Sequence, residues 1–294
     1  MRSVQAISIL MAFSFLPLLL AVGGCDDDTT TDADTGVADS GTAGDSSTGD
    51  DSSTADDSST GDSSTGDGGT TGATVTLAFE HLANDSAIVL GTETPYANAA
   101  GNQFGVTRLS YFVSDVTLTL ADDSEINVPG AHYVDHDTAE TRTYDLPVGT
   151  TTGDLAKITF TMGLGPALNV SGAFLSAPES LMEWPEMMGG GYHYMKFEGR
   201  YVDETESPFN FMTHSGGLAG MDYSFEVDLD ATGLTVADGA TFTVEMNLEE
   251  WFTDPNTWDL NDYFNETHRG IMGDAAAQAS LMANGSTVFS LGAP

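Results

Sequence analysis

"QFGVTRLSYFVSDVTLTLADDSEINV", residues 103–128, is the stretch whose pattern decides the fold. β-branched and aromatic residues fill its first part, the turn residues "ADDSE" interrupt it, and a second β-rich run follows. That order predicts a long strand or strand pair, a tight reversal and a return strand. Upstream, "TVTLAFEHL" (74–82) alternates so that Val75, Leu77, Phe79 and His81 share one face. Downstream, "AHYVDHD", "TRTYDLP", "LAKITFTMGL", "YHYMKFEGRYV", "FNFMTHSG", "YSFEVDLD", "ATFTVEMNLEEWF" and "STVFSLG" continue the series, with Gly, Asp and Asn between runs. The expected fold is all-β: an antiparallel β-sandwich with long irregular loops. Helix is sparse, with "DAAAQASLMA" (274–283) as the best stretch and Asp274 placed to cap its start. The Gly-, Pro- and Met-rich segment 165–190 predicts a long loop of the kind that carries binding residues.

The amino-terminal part does not belong to this domain. Residues 1–24 have a basic start at Arg2, an apolar run and small residues before Cys25, as expected of a secretory signal peptide. The order apolar–Gly–Gly–Cys resembles a bacterial lipobox, which implies lipidation of Cys25 and attachment to a membrane of the cell envelope, periplasmic or outer. Residues 25–72 then form an acidic linker in which "DSST" recurs at 45, 51, 57 and 62. It holds 13 of the 45 acidic residues and none of the seven basic ones, so it can neither bury a core nor neutralise itself. As a flexible chain it would span roughly 40 Å. The domain proper, 73–294, keeps 32 acidic residues against six basic ones. Such a surface repels phosphate backbones, which argues against nucleic acid as a partner.

No nucleophile elbow, P-loop or H-E-x-x-H stands in the chain, and the one cysteine is taken by the lipid, so an enzyme is not expected. The soft-ligand set is more informative. His81, His193 and His214 lie on three separate strands, with Met195 and Met212 each two residues from a histidine and so on its face. The preceding loop, "SLMEWPEMMGGGYHYM", adds Met182, Met187, Met188 and Trp184. Imidazole with thioether suits copper, Cu(I) especially, whereas magnesium and calcium want oxygen. His132, His136 and His268 are expected to be structural or exposed. An alternative reading is a surface adhesion or carbohydrate-binding sandwich, with Trp184, Tyr192, Tyr194, Trp251 and Trp258 as stacking faces.

Taken in order, "AFEH", "TPYANAAGNQFGVTRLSYFVSDVTL", "YDLPVGTTTGDLAKITFTMGL", "ALNVSG", "MEW", "GYHYMKFEG", "THSGG" and "ANGSTVF" resemble the MbnP-like family, methanobactin-associated proteins of the periplasm or cell surface. The resemblance covers most of 74–292 and implies an all-β, copper-binding protein. It also implies a tryptophan near the metal that a partner di-haem enzyme, similar to cytochrome c peroxidases, oxidises to kynurenine. Carried over by motif, the histidine of "H.GG" is His214, the tryptophan after a methionine is Trp184, and the first-strand histidine is His81. The family's second tryptophan in that segment is replaced by Glu186, the loop is about two residues longer, and His193 stands where the family is usually apolar. The expectation is therefore a lipid-anchored copper-binding protein. His81, His193 and His214 would share the metal, Met195 or Met212 would complete it, and Met182 and Trp184 would lie beside it.

Overall fold

The computed structural model describes residues 72–293. The signal peptide, Cys25 and nearly all of the acidic linker lie outside the described residues. Thirteen strands follow in chain order: β1 (Ala73–Ala83), β2 (Ser86–Ala87), β3 (Tyr96–Ala97), β4 (Gln103–Leu120), β5 (Glu125–Asp135), β6 (Thr143–Gly149), β7 (Gly153–Met162), β8 (His193–Val202), β9 (Pro208–Gly216), β10 (Phe225–Asp230), β11 (Thr235–Val236), β12 (Thr241–Asn247) and β13 (Phe289–Leu291). Two α-helices, α1 (Leu260–Tyr263) and α2 (Ala275–Val288), lie near the end. The strands form two sheets. The smaller runs β13–β12–β1–β2 with β6 also on β1; the larger runs β10–β7–β4–β8–β9, with β3 and β5 on β4 and β11 on β7.

The central stretch behaves as its pattern requires. β4 and β5 pair antiparallel from Ser110↔Asp135 to Thr119↔Glu125 across the "ADDS" reversal, and Asp123 takes the positive φ of the turn. "AHYVDHD" is not a separate strand but the far half of β5. One pairing departs from the all-antiparallel expectation: β1 and β12 run parallel, from Thr76↔Thr241 to Leu82↔Asn247. Alternation in a single strand cannot show the direction of its neighbour, because both arrangements have period two.

The core lies between the sheets. Val75, Leu77 and Phe79 of β1 and Val244 and Met246 of β12 face Phe104, Leu109, Tyr111, Met195, Phe197 and Phe211 of the larger sheet. A second, smaller cluster covers the opposite, outer face of the larger sheet: Phe112, Tyr133, Leu164, Met182, Tyr192, Tyr194 and Tyr223. The 165–190 segment builds that cover, with two short 3₁₀ turns at Glu179–Met182 and Glu186–Met188. One end of the larger sheet is thus buried on both faces, which is where a water-excluded site can form.

Trp251 and Trp258 are buried, Trp258 Nε1 donating to Ser280 Oγ at 2.8 Å. They anchor the 248–264 corner into the core and offer no face to a sugar. Asp274 caps α2 as expected, accepting from Ala276 N and Ala277 N at 2.9 and 3.0 Å. The helix runs on to Val288, so only the end of the expected strand "STVFSLG" is extended. Gly285 lets the helix approach the sheet: a Cβ there would sit 2.0 Å from the Phe225 ring. Gly285→Ala should therefore destabilise the domain by about 1–3 kcal/mol through overpacking, read as a lower urea midpoint; an unchanged midpoint would mean that the helix is free to shift.

Candidate metal centre

The hairpin β8–β9 turns at 203–207, where Asp203 N donates to Ser207 O and Glu206 N to Asp203 O. Its register sets Lys196 opposite His214 and Glu198 opposite Met212. Directly opposed residues share a face, so Lys196, Glu198, Met212 and His214 all lie on the outer face. Phe197 and Phe211 point into the core between the sheets.

A bulge changes this order at the start of β8. His193 pairs with Gly216, but Met195 already pairs with Ser215, which leaves Tyr194 as the inserted residue. The expectation that His193 and Met195 share a face is therefore overturned. Met195 enters the inter-sheet core opposite Tyr111. His193 turns outward and meets His214, ring centres 5.0 Å apart at 82°. Trp184 closes the other side of His193, ring centres 4.7 Å apart and edge-on. All three rings are buried.

Each imidazole has one nitrogen tied. His193 Nδ1 lies 2.9 Å from the Met182 carbonyl and donates to it, which leaves Nε2 as the nitrogen with the lone pair. His214 Nε2 lies 2.9 Å from Glu198 Oε1; the proton sits there, and Nδ1 is buried with no hydrogen-bond partner. A carbonyl or carboxylate holding the far nitrogen is the arrangement that orients metal-ligating histidines. Leaving a buried nitrogen unpaired costs about 1–3 kcal/mol, so the free His214 Nδ1 marks a place where a partner belongs. The indole nitrogen of Trp184, whose ring packs against His193, is likewise buried and unpartnered.

The surroundings are built to hold this geometry. Trp184 N donates to Gly191 O at 2.9 Å, and its indole lies on β9 where Gly216 has no side chain; a Cβ there would be 2.7 Å from the ring. Gly191 takes φ +81°, and its turn is pinned by Ser171 Oγ on Gly191 N and Asn169 Oδ1 on Tyr192 N, at 2.8 and 2.7 Å. Tyr194 donates to Asp222 Oδ1 at 2.7 Å and accepts from Asn169 Nδ2 at 3.0 Å. From the other side, Gln278 of α2 donates to the His214 carbonyl at 2.7 Å. Ser110 Oγ donates weakly to the Met182 thioether at 3.6 Å, and Lys196 Nζ donates to Leu181 O at 2.7 Å.

Of the residues expected at one centre, His193 and His214 are brought together, with Trp184 and Met182 beside them. His81 is not among them. It faces the inter-sheet core, where Nε2 meets Tyr111 Oη at 3.0 Å and Nδ1 meets His136 Nδ1 at 2.9 Å. Met212 shares the His214 face, but its thioether end lies against Gly270. No group of three or more His, Cys, Asp or Glu is placed to hold a metal among the described residues. Glu198, Gln278, Asn169 and Asp222 were missed by sequence reasoning. Glu198 could have been found: a hairpin centred on Thr205 puts it on the His214 face.

Burial lowers the His193 pKa to about 3, and lowers that of His81 to about 3 as well, with His136 and Arg142 adding to the effect there. An imidazole whose pKa falls on folding binds its proton more readily when unfolded. Its contribution to stability is therefore full above about pH 6.5 and is lost as pH falls toward 3, at about 1.4 kcal/mol per pH unit for each histidine. Without added metal, wild type should lose stability between pH 6 and 4 more steeply than His193→Gln by that one-histidine slope, measured by urea unfolding; parallel slopes would show that His193 takes up its proton in the folded state.

A sequence model of the MbnP family matches residues 72–272. Among solved structures, MbnP from Methylosinus trichosporium is similar at 14% identity and a TM-score of 0.48, over 74% of this chain and 98% of that one. No curated protein matches significantly. The family match spans well over half of the chain and takes in His81, Trp184, His193 and His214; the chain belongs to the MbnP family.

Proposed function

We propose that this protein binds copper at His193 and His214 on the outside of the cytoplasmic membrane, held there by lipid on Cys25, and takes up, stores or hands over the metal rather than transforming a substrate. The observation that carries the reading is the buried, unpartnered His214 Nδ1 beside a second imidazole whose far nitrogen is tied to a carbonyl. Two buried imidazoles in a thiol-free place suit Cu(I). Bound there, copper supplies a soft cation that can change oxidation state.

The chain's own residues have separable tasks. His193 and His214 present lone pairs. The Met182 carbonyl and the Glu198 carboxylate keep the protons on the opposite nitrogens, and Glu198 has Arg108 3.7 Å away to balance its charge. Trp184 covers one side of His193. It packs edge-on against that ring and is the residue that a partner di-haem enzyme would oxidise. The carbohydrate-binding alternative loses support, because Trp184, Tyr192, Tyr194, Trp251 and Trp258 are all buried.

His214→Ala should weaken Cu(I) binding at this centre at least about 100-fold in competition with a chromophoric chelator. Glu198→Ala should weaken it about 10–100-fold by freeing the ring. Trp184→Phe should keep affinity within a few-fold. If affinity at this centre survives both His214→Ala and Glu198→Ala, the assignment is wrong.

A further inference from the structure

His81 stands between Phe79 and Ala83 in the inward-facing row of β1, a polar residue in an apolar layer, only 2% exposed. Its two nitrogens are both directed. Nε2 meets the Tyr111 hydroxyl at 3.0 Å, and Nδ1 meets His136 Nδ1 at 2.9 Å, with ring centres 5.1 Å apart. His136 is placed by its backbone N–H, which donates to Leu109 O at 3.0 Å, and its ring also faces the Ile88 carbonyl. Two neutral imidazoles can share one proton between facing nitrogens, so the contact is a single hydrogen bond. If that proton moves to Nε2 of its own ring, both Nδ1 lone pairs point at one place. Acceptors are at hand for the far sides: the Tyr111 hydroxyl oxygen for His81 and the Ile88 carbonyl for His136.

We propose that His81 and His136 form a second metal site, selective for a monovalent d¹⁰ cation such as Cu(I) or Ag(I). It is separate from the His193–His214 centre, which lies on the other face of the larger sheet. The cation occupies the place of the shared proton, and that proton transfers to the far nitrogen of the same ring, so none is released. With metal–nitrogen bonds near 2 Å, the nitrogens must part by roughly 1 Å. His81 is fixed by the core and by Tyr111; His136, at the surface end of β5, is the ring that swings.

Charge decides against a divalent ion. The nearby carboxylate of Asp135 is already engaged, Oδ2 by Tyr133 and Oδ1 by Asp137 N, at 2.8 and 2.9 Å. Arg142 adds a positive charge that acts on both rings. Asp137 also acts on His136, from an exposed position; two imidazoles with no carboxylate in hydrogen-bond contact with either ring match a soft monovalent cation and not Zn²⁺ or Ca²⁺.

The test is a silver(I) and anaerobic copper(I) titration of the purified protein and its variants, with imidazole nitrogen NMR as the site-specific readout. Wild type should bind two equivalents, His136→Gln one, and His193→Gln/His214→Gln one, with silver shifting the His81 and His136 Nδ1 signals in that double variant. Should the double variant show no shift at His81 and His136, or His136→Gln keep wild-type stoichiometry with its fold intact by circular dichroism, the second site is refuted. If wild type binds one equivalent and only His136→Gln removes it, this site stands and the His193–His214 assignment falls.

Discussion

One inserted residue in β8 governs the chemistry of this molecule. Without the bulge at Tyr194, His193 would follow Met195 into the layer between the sheets and never meet His214. With it, an imidazole is moved to the outer face at the end of a strand whose other residues keep their alternation. The rest of the outer cover makes that placement affordable. The tyrosines at 192 and 194, the Asn169 and Asp222 bonds and the turn of Gly191 fill the space that a displaced strand end would otherwise leave to water.

The two histidine pairs follow opposite rules. His193 and His214 are held apart from one another by acceptors on their far nitrogens, which leaves unfilled bonding capacity between them. His81 and His136 turn their capacity on each other and are satisfied within the protein. Burial lowers the pKa of His193, His81 and His136, so these rings stay neutral over the ordinary range.

How much of this could be read from the chain depends on the range of the interaction. The strands, the β4–β5 reversal and the Asp274 cap rest on neighbours within a few residues, and they are legible in "TLTLADDSEINV" and "DAAAQ". Grouping His193 with His214 rested on donor type alone; a regular hairpin centred on Thr205 would set the two rings on opposite faces. The face of His193 was not legible: period two places it with Met195 in the core, and nothing in "GYHYMKFEG" announces the inserted residue that turns it outward. His81 was misplaced for a related reason. Its strand belongs to the other sheet, and the contact that claims it comes from His136, fifty-five residues away.

The hydrogen bond from Gln278 to the His214 carbonyl joins the last helix to the strand that carries the site. That side chain is buried and also reaches Ile271 O, so it works as a rivet between distant parts of the chain. A lesion in the final thirty residues, far in sequence from either imidazole, would thus loosen β9 where His214 is seated. In this architecture the integrity of the carboxyl-terminal helix and the grip of the outer-face centre are one mechanical property.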